Sequence, residues 1–367
     1  MPHSPLPLVP PSTVGAVTRP TAEFVVTIQS VPGESAENVF RRLAATLKDR
    51  NAIIVALFVF GDLTVREPSN AILRRCLGPI DWPVLWVDGA SCCGAPLAGV
   101  QAFAMSGADV ERVLVNGRIV GTVFDDGDAR HCILAGAGPD DPTASREDQV
   151  LSTFENVGRA LLVAGFEFSD VSRTWFYNDE LLRWYGDFNR VRTGYYADVA
   201  FKIGASPAST GVAGRNPLDA ALAMAAWAVQ PERTPARVVA VASPLQCAAT
   251  RYGSTFSRAV EIQSAHRRRL LVSGTASIAP GGESVWPGDI GRQIETTMDV
   301  VRAILSSRGM QFSQVTRATA YFKHAPDAAA FDAWQAANSV ALPAVYVACD
   351  ICRDDLLFEI EVDAVAT

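Results

Sequence analysis

Near the C-terminus, Phe358-Glu359-Ile360-Glu361-Val362-Asp363 alternates apolar and acidic residues. In a β-strand, successive side chains point to opposite faces. Phe358, Ile360 and Val362 then share one face, and Glu359, Glu361 and Asp363 the other. Three carboxylates on one face repel each other. Either the face is a solvent-facing sheet edge, or at least one acid sits away from bulk water or beside a cation. Arginines able to hold an anionic substrate are Arg173, Arg190, Arg192, Arg215 and Arg353. The run RWYGDFNRVR (183–192) sets Tyr185 and Arg192 seven apart, two helical turns on one stripe. A phenol and a guanidinium on one stripe suit a carboxylate, and equally a surface ion pair.

Other chemistries find little support. Cys349-Asp350-Ile351-Cys352 spells C-x-x-C, but it lies in the β-patterned run VYVACDIC rather than at a helix start. A zinc site would need a second pair or histidines at ligand spacing, and His3, His131, His266 and His324 offer none. We therefore expect no metal and no cofactor: no P-loop appears, and the glycines of AGAG (135–138) run into PDDP, a loop. Seven cysteines, an odd number, form no secreted-type framework and fit a reducing cytoplasm. The net charge of −7, from 39 acids against 32 bases, argues against nucleic acid as the main partner. The one dense basic run, HRRRL (266–270), reads as a solvated turn before a strand. No apolar run reaches the roughly 18 residues of a membrane span. The Pro-rich start, residues 1–20, reads as a disordered tail rather than a signal peptide.

The elements that must position the acids are legible through repetition. GFEFSDVSRTWFY (165–177) and GMQFSQVTRATAY (309–321) lie 144 residues apart and match at Gly165/Gly309, Phe168/Phe312, Val171/Val315, Arg173/Arg317 and Tyr177/Tyr321. Each follows a helical pattern that opens near a glutamine and stops at a glycine. A fainter third copy lays residues 54–62 (IVALFVFGD) over 171–179. After each copy a proline opens a strand: Pro83-Val84, Pro207-Ala208 and Pro343-Ala344. The chain thus reads as copies of one α+β unit, with function expected where copies meet.

The C-terminal copy resembles a RidA/YjgF-type unit through FSRA (256–259), SGTASI (273–278), the FSQV strand start, LPA (342–344) and FEIEVDAVA. The central copy resembles it through FSDV, WYGDFNRVR and PAST (207–210). Proteins of that kind are usually trimers with sites between subunits, so three units in one chain imply a covalent pseudotrimer. The expected division is a tail over 1–20, a degenerate lobe over 21–108, a central unit over 109–248 and an acid-bearing unit over 249–367. Taken together, SRTWFYNDELLRWYGDFNRVRTGYY (172–196), PASTG (207–211), SPLQ (243–246), YGSTFSRA (252–259), SGTASI and LLFEIE (356–361) resemble the chorismatase family. The arginine that simple Rid deaminases carry two residues after the strand-opening proline is replaced by Ser209 and Val345. Imine deamination is therefore not expected.

The resemblance implies that chorismate is the substrate and pyruvate a product. Glu359 matches the family's acid, which protonates the enolpyruvyl methylene, and Tyr185, Arg192 and Tyr252 match positions that line the substrate pocket, with Arg353 a weaker candidate for it. Cys352 resembles the residue of the branch that forms 3-hydroxybenzoate, whereas Ala276 resembles the hydrolytic branch that forms a dihydroxy diene. The reading favours 3-hydroxybenzoate, with 4-hydroxybenzoate as a further product that some members release, and with hydrolysis and a non-catalytic carboxylate-binding module as alternatives. If Cys352 lay on a regular strand, Arg353 would face away from it. A monomeric, cytoplasmic protein is expected, because a pseudotrimer satisfies its own interfaces.

Overall fold

The computed structural model describes residues 22–233 and 236–367; the expected tail over 1–20 lies outside them. Three sheets are built in chain order. The first portion contributes β1 (Ala22–Gln29), α1 (Ala36–Asp49), β2 (Ile53–Gly61), α2 (Arg66–Leu77), β3 (Val84–Val87), β4 (Ala90–Ser91) and β5 (Leu97–Ser106). The middle contributes β6 (Val110–Val115), β7 (Arg118–Asp125), β8 (Ala129–Ala137), α3 (Arg146–Val163), β9 (Val171–Asn178), α4 (Leu181–Ala197), β10 (Ala208–Ala213) and β11 (Leu222–Pro231). The last contributes β12 (Arg237–Val241), β13 (Ala259–Gln263), β14 (Arg268–Ala276), α5 (Ile290–Ser307), β15 (Val315–Phe322), α6 (Ala328–Asn338), β16 (Ala344–Ala348) and β17 (Phe358–Ala366). Sheet orders are β1-β5-β2-β3, β10-β9-β11-β8-β7-β6 and β12-β13-β14-β17-β15-β16-β4. The short β4 thus leaves its own portion and pairs with β16, stitching the first sheet's loop onto the edge of the third.

The repeat is visible in register as well as sequence. Helices α3 and α5 each span 18 residues and are followed by glycines at positive φ, Gly165 (76°) and Gly309 (66°), where an L side chain would be strained. Their N-caps are Ser145 and Asp289, whose side-chain oxygens accept from Asp148 N and Arg292 N. The glutamines one turn in do matching work. Gln149 accepts from Ala221 N at 2.7 Å and Gln293 from Leu357 N at 2.8 Å, so each helix start fixes where the following central strand begins.

In all three sheets the same register shift interrupts the same strand pair: at Ile54/Ala56 against β5, at Val171/Arg173 against β11, and at Val315/Arg317 against β17. One bulge kept three times is a signature of one unit used three times. The partners then align position by position. Tyr321 pairs with Glu359, Tyr177 with Ala223 and Phe60 with Gly99. The molecule is therefore an α+β pseudotrimer, one unit used three times.

Four large apolar cores follow from this plan, beside a small cluster of Ala276, Ile351 and Leu356. Each sheet buries one face against its own helices, as Phe358, Ile360 and Val362 do against Ile294, Met298 and Ile304. A fourth core lies where the three sheets meet and gathers Phe58, Phe103, Trp175, Trp227, Tyr177 and Tyr321. Phe103, Trp175 and Trp227 pack edge-to-face there, with ring centroids 6.1 and 5.9 Å apart. The basic run at 266–270 begins in an exposed turn at His266, as expected, but its arginines are not simply solvated. Its strand starts at Arg268, Arg269 is buried, and Arg267 and Arg269 both bind Glu23 of β1 while Arg267 also binds Asp126 after β7. Those arginines tie all three units together. No helix among the described residues is long and apolar enough to cross a membrane.

Candidate active site

β17 is flanked by β14 and β15, so its acid face is not a sheet edge. Glu359, Glu361 and Asp363 are all buried. Two of them are matched by arginines from the repeat itself. Arg317 bonds Asp363 through Nε at 2.7 Å and Glu361 through Nη1 and Nη2 at 2.7 and 2.9 Å. Glu361 also accepts from Arg173 Nη2, from the Thr210 and Thr319 hydroxyls, and from Trp175 Nε1 at 3.1 Å. Burial opposes ionisation of Glu361, but Arg317 and Arg173 outweigh it and hold the carboxyl below its usual range. Removing one partner from such a buried network typically costs about 3–5 kcal/mol.

Glu359 has no such partner. Burial raises its pKa to about 8, the fixed negative charge of Glu361 adds to the rise, and Arg173 and Arg258 only partly offset it. Glu359 is therefore a protonated carboxylic acid at neutral pH. Its carboxyl group rests over Gly274 of β14: a Cβ at that position would collide with the carboxyl and press on Thr210. The absence of a side chain at 274 makes the acid's seat, and the Gly274 N–H donates to Thr210 at 3.0 Å, tying it to the Glu361 network.

Glu359 opens on a cleft of about 660 Å³ between the middle and last units, within the range of small-molecule sites. The cleft brings together the seven residues that the family resemblance pointed to: Glu359, Cys352, Tyr185, Arg192, Tyr252, Ala276 and Arg353. Tyr185 and Arg192 come from α4, whose two-turn spacing places both on the cleft side as expected. Arg192 is 1% exposed, yet its hydrogen bonds go only to neutral groups, Asn189 Oδ1 at 2.6 Å and Ser254 Oγ at 3.2 Å. Its Nε has no partner. A buried guanidinium without a carboxylate is costly unless an anion arrives, and its Cζ lies 5.1 Å from the Phe188 ring. Burial also pushes the hydroxyl pKa of Tyr185 up, and that of Tyr252 to about 12, so both phenols stay hydrogen-bond donors.

The five candidate arginines separate cleanly. Arg192 and Arg353 line the cleft. Arg173 does not line the cleft: its Nη2 pairs with Glu361, and its buried Nε and Nη1 have no hydrogen-bond partner. Arg190 reaches only the rim and pairs with Glu147 and Asp187 on the surface. Arg215 lies near Asp88 and Asp219, away from the cleft. The placement of Arg353 also corrects the strand-based expectation. β16 ends at Ala348, so Cys349–Cys352 is loop and alternation does not apply. Arg353 consequently shares the cleft with Cys352, donates to Gly282 O at 2.8 Å, and stacks 5.1 Å from the Tyr252 ring. Cys349 and Cys352 are free thiols, and burial raises the pKa of Cys352 to about 12, with nearby Glu359 adding to the rise.

Sequence reasoning missed Arg258, which is 5% exposed, lies 5.4 Å over the Tyr252 ring and donates from Nε and Nη2 to Cys247 O. It also missed Asn189, Ser254 and Gly274. The FSRA motif contains Arg258, but nothing in its spacing says that this residue, just before β13, comes to line the cleft with Glu359.

Together these features define a class: an α+β pseudotrimer with one inter-unit cleft that pairs a neutral acid with an unmatched buried cation. Residues 248–366 match the protein family described as Endoribonuclease L-PSP. A crystal structure of a chorismatase at 1.08 Å resolution aligns with a TM-score of 0.66 over 94% of this chain and 98% of that one, at 18% identity. The chain therefore has the chorismatase fold. A 3-hydroxybenzoate synthase from Streptomyces hygroscopicus is 27% identical over 226 residues, which cover 54% of this chain and 65% of that relative. The alignment thus spans just under two thirds of the relative's length.

Proposed function

We propose that the protein is a chorismatase that converts chorismate to pyruvate and 3-hydroxybenzoate. The observation that carries this reading is the meeting of Glu359, kept protonated at neutral pH, with Arg192, a buried cation that lacks a carboxylate. An enol ether dicarboxylate fits both. Arg192, with Tyr185, Tyr252 and Arg353 around it, takes up the carboxylates. Glu359 delivers its proton to the enolpyruvyl methylene, which becomes a methyl group and leaves an oxocarbenium ion. Such general acid catalysis is commonly worth about 10²–10⁴ in rate.

The second step separates the products. In the favoured path the neighbouring ring hydroxyl displaces the ether oxygen, pyruvate leaves with that oxygen, and the epoxide-like intermediate opens to 3-hydroxybenzoate. The hydroxyl proton restores Glu359, and no water is consumed. The name of the Streptomyces hygroscopicus relative and the position of Cys352 in the cleft support this path. Ala276, paired with Glu359 across β14 and β17, favours the alternative in which water attacks and a dihydroxy diene is released. The test is incubation with chorismate and no added cofactor, followed by chromatography with mass detection. Pyruvate with 3-hydroxybenzoate is the expected result. Pyruvate with the diene would assign the hydrolytic path, and unconsumed chorismate would leave a binding module in its place.

A further inference from the structure

The threefold repeat creates three inter-unit clefts, and the register states what each carries at equivalent positions. Glu359 is matched by Ala223 and Gly99. Gly211, which lines the cleft described above, is matched through the parallel pairs β9–β10, β2–β3 and β15–β16 by Trp86 and Tyr346. Ala223 and Trp86 both line a second cleft of about 520 Å³, between the first and middle units.

This second cleft has no acid at the catalytic position, yet it is not inert. Arg66, Arg74 and Arg118 line it, and no aspartate or glutamate does. Among the described residues Arg74 and Arg118 form no ion pair, and Arg66 pairs only with the adjacent exposed Glu67. Three further donors around it lack acceptors: Arg66 Nε and the indole N–H groups of Trp82 and Trp86, the two tryptophans being 7% and 4% exposed. Donors in excess, with no competing carboxylate, are the composition of an anion receptor. The indoles, Ile119 and Leu218 add flat apolar walls that suit a ring better than a bare phosphate. The third cleft, of about 630 Å³, lacks this surplus, because Asp332 lies in it and its Arg42 is paired with Glu34.

We propose that the cleft between the first and middle units is a second ligand site, which binds a small ring carboxylate without turning it over. The site needs only the arginines and indoles above, and stands whether or not chorismate is the substrate.

Isothermal titration of the whole protein with 3-hydroxybenzoate as the probe tests this. Two sites are expected. Arg192→Ala should remove one. The double variant Arg74→Glu/Arg118→Glu, at two exposed positions, should weaken the other by about tenfold or more per arginine. That double variant should leave kcat and KM for chorismate unchanged. An isotherm that the double variant does not alter contradicts the proposal. So does inorganic phosphate binding at these arginines where the probe does not. Failure of chorismate turnover alongside two-site binding would overturn only the catalytic reading.

Discussion

Glu359 and Glu361 stand two residues apart on one face of β17, and their surroundings drive their protonation in opposite directions. Arg317 and Arg173 keep Glu361 ionised, while burial and that same Glu361 charge keep Glu359 neutral. The repeat supplies this contrast, since both arginines occupy the same position in their units and converge on a single acid. Two carboxyl groups with separated pKa values are a recurring way to obtain a general acid at neutral pH.

The raised pKa of Glu359 couples to stability. Its folded value, about 8, lies above the ordinary 4.5, so the folded state keeps a proton that the unfolded chain releases. The contribution is fully present below pH 4.5 and is lost as pH rises through 8. Glu359→Gln cannot titrate and should therefore gain on the wild type between pH 5 and pH 9, by on the order of a few kcal/mol. Denaturant unfolding at both pH values checks this. Parallel behaviour of the two proteins would mean that Glu359 is ionised in the folded state.

Arg192→Ala should raise KM for chorismate by roughly ten- to a hundredfold, because it removes charged hydrogen bonds made already in the ground state. The value of kcat should change much less. Steady-state kinetics separate the two, and an effect confined to kcat would assign Arg192 to the chemical step.

Gly274→Ala should fold, because the intruding methyl meets a side-chain carboxyl rather than backbone. It should nevertheless displace Glu359 and lower pyruvate release by about a hundredfold, the usual cost of misplacing a reacting group by about 1 Å. Circular dichroism matching the wild type together with full activity would show that the glycine does not seat the acid.

Cys352 and Ala276 lie in the same cleft as Glu359. Cys352→Ala should shift the ratio of 3-hydroxybenzoate to diene, read by chromatography of the reaction mixture. An unchanged ratio would make Cys352 a packing residue only.

The alternation of FEIEVD and the spacing of Tyr185 and Arg192 were sufficient to place the acid face and the cation stripe, since both depend on local periodicity. Local periodicity could not say which acid would be neutralised. The two arginines that bind Glu361 come from positions 44 and 188 residues away, and only the closed arrangement of three sheets joins them. Arg353 was misplaced for a different reason. VYVACDIC looks like one strand, but β4 pairs only with Val347 and Ala348, and the chain turns off the sheet after that edge. Gly274 carries no side chain to read, so its role emerges only from what would collide there.

The most direct test of the central claim is pyruvate release from chorismate by the wild type and Glu359→Gln side by side, with chorismate binding measured for both. The account predicts a loss of about 10²–10⁴ in rate for the variant with binding largely retained. Pyruvate release by Glu359→Gln at the wild-type rate would contradict it.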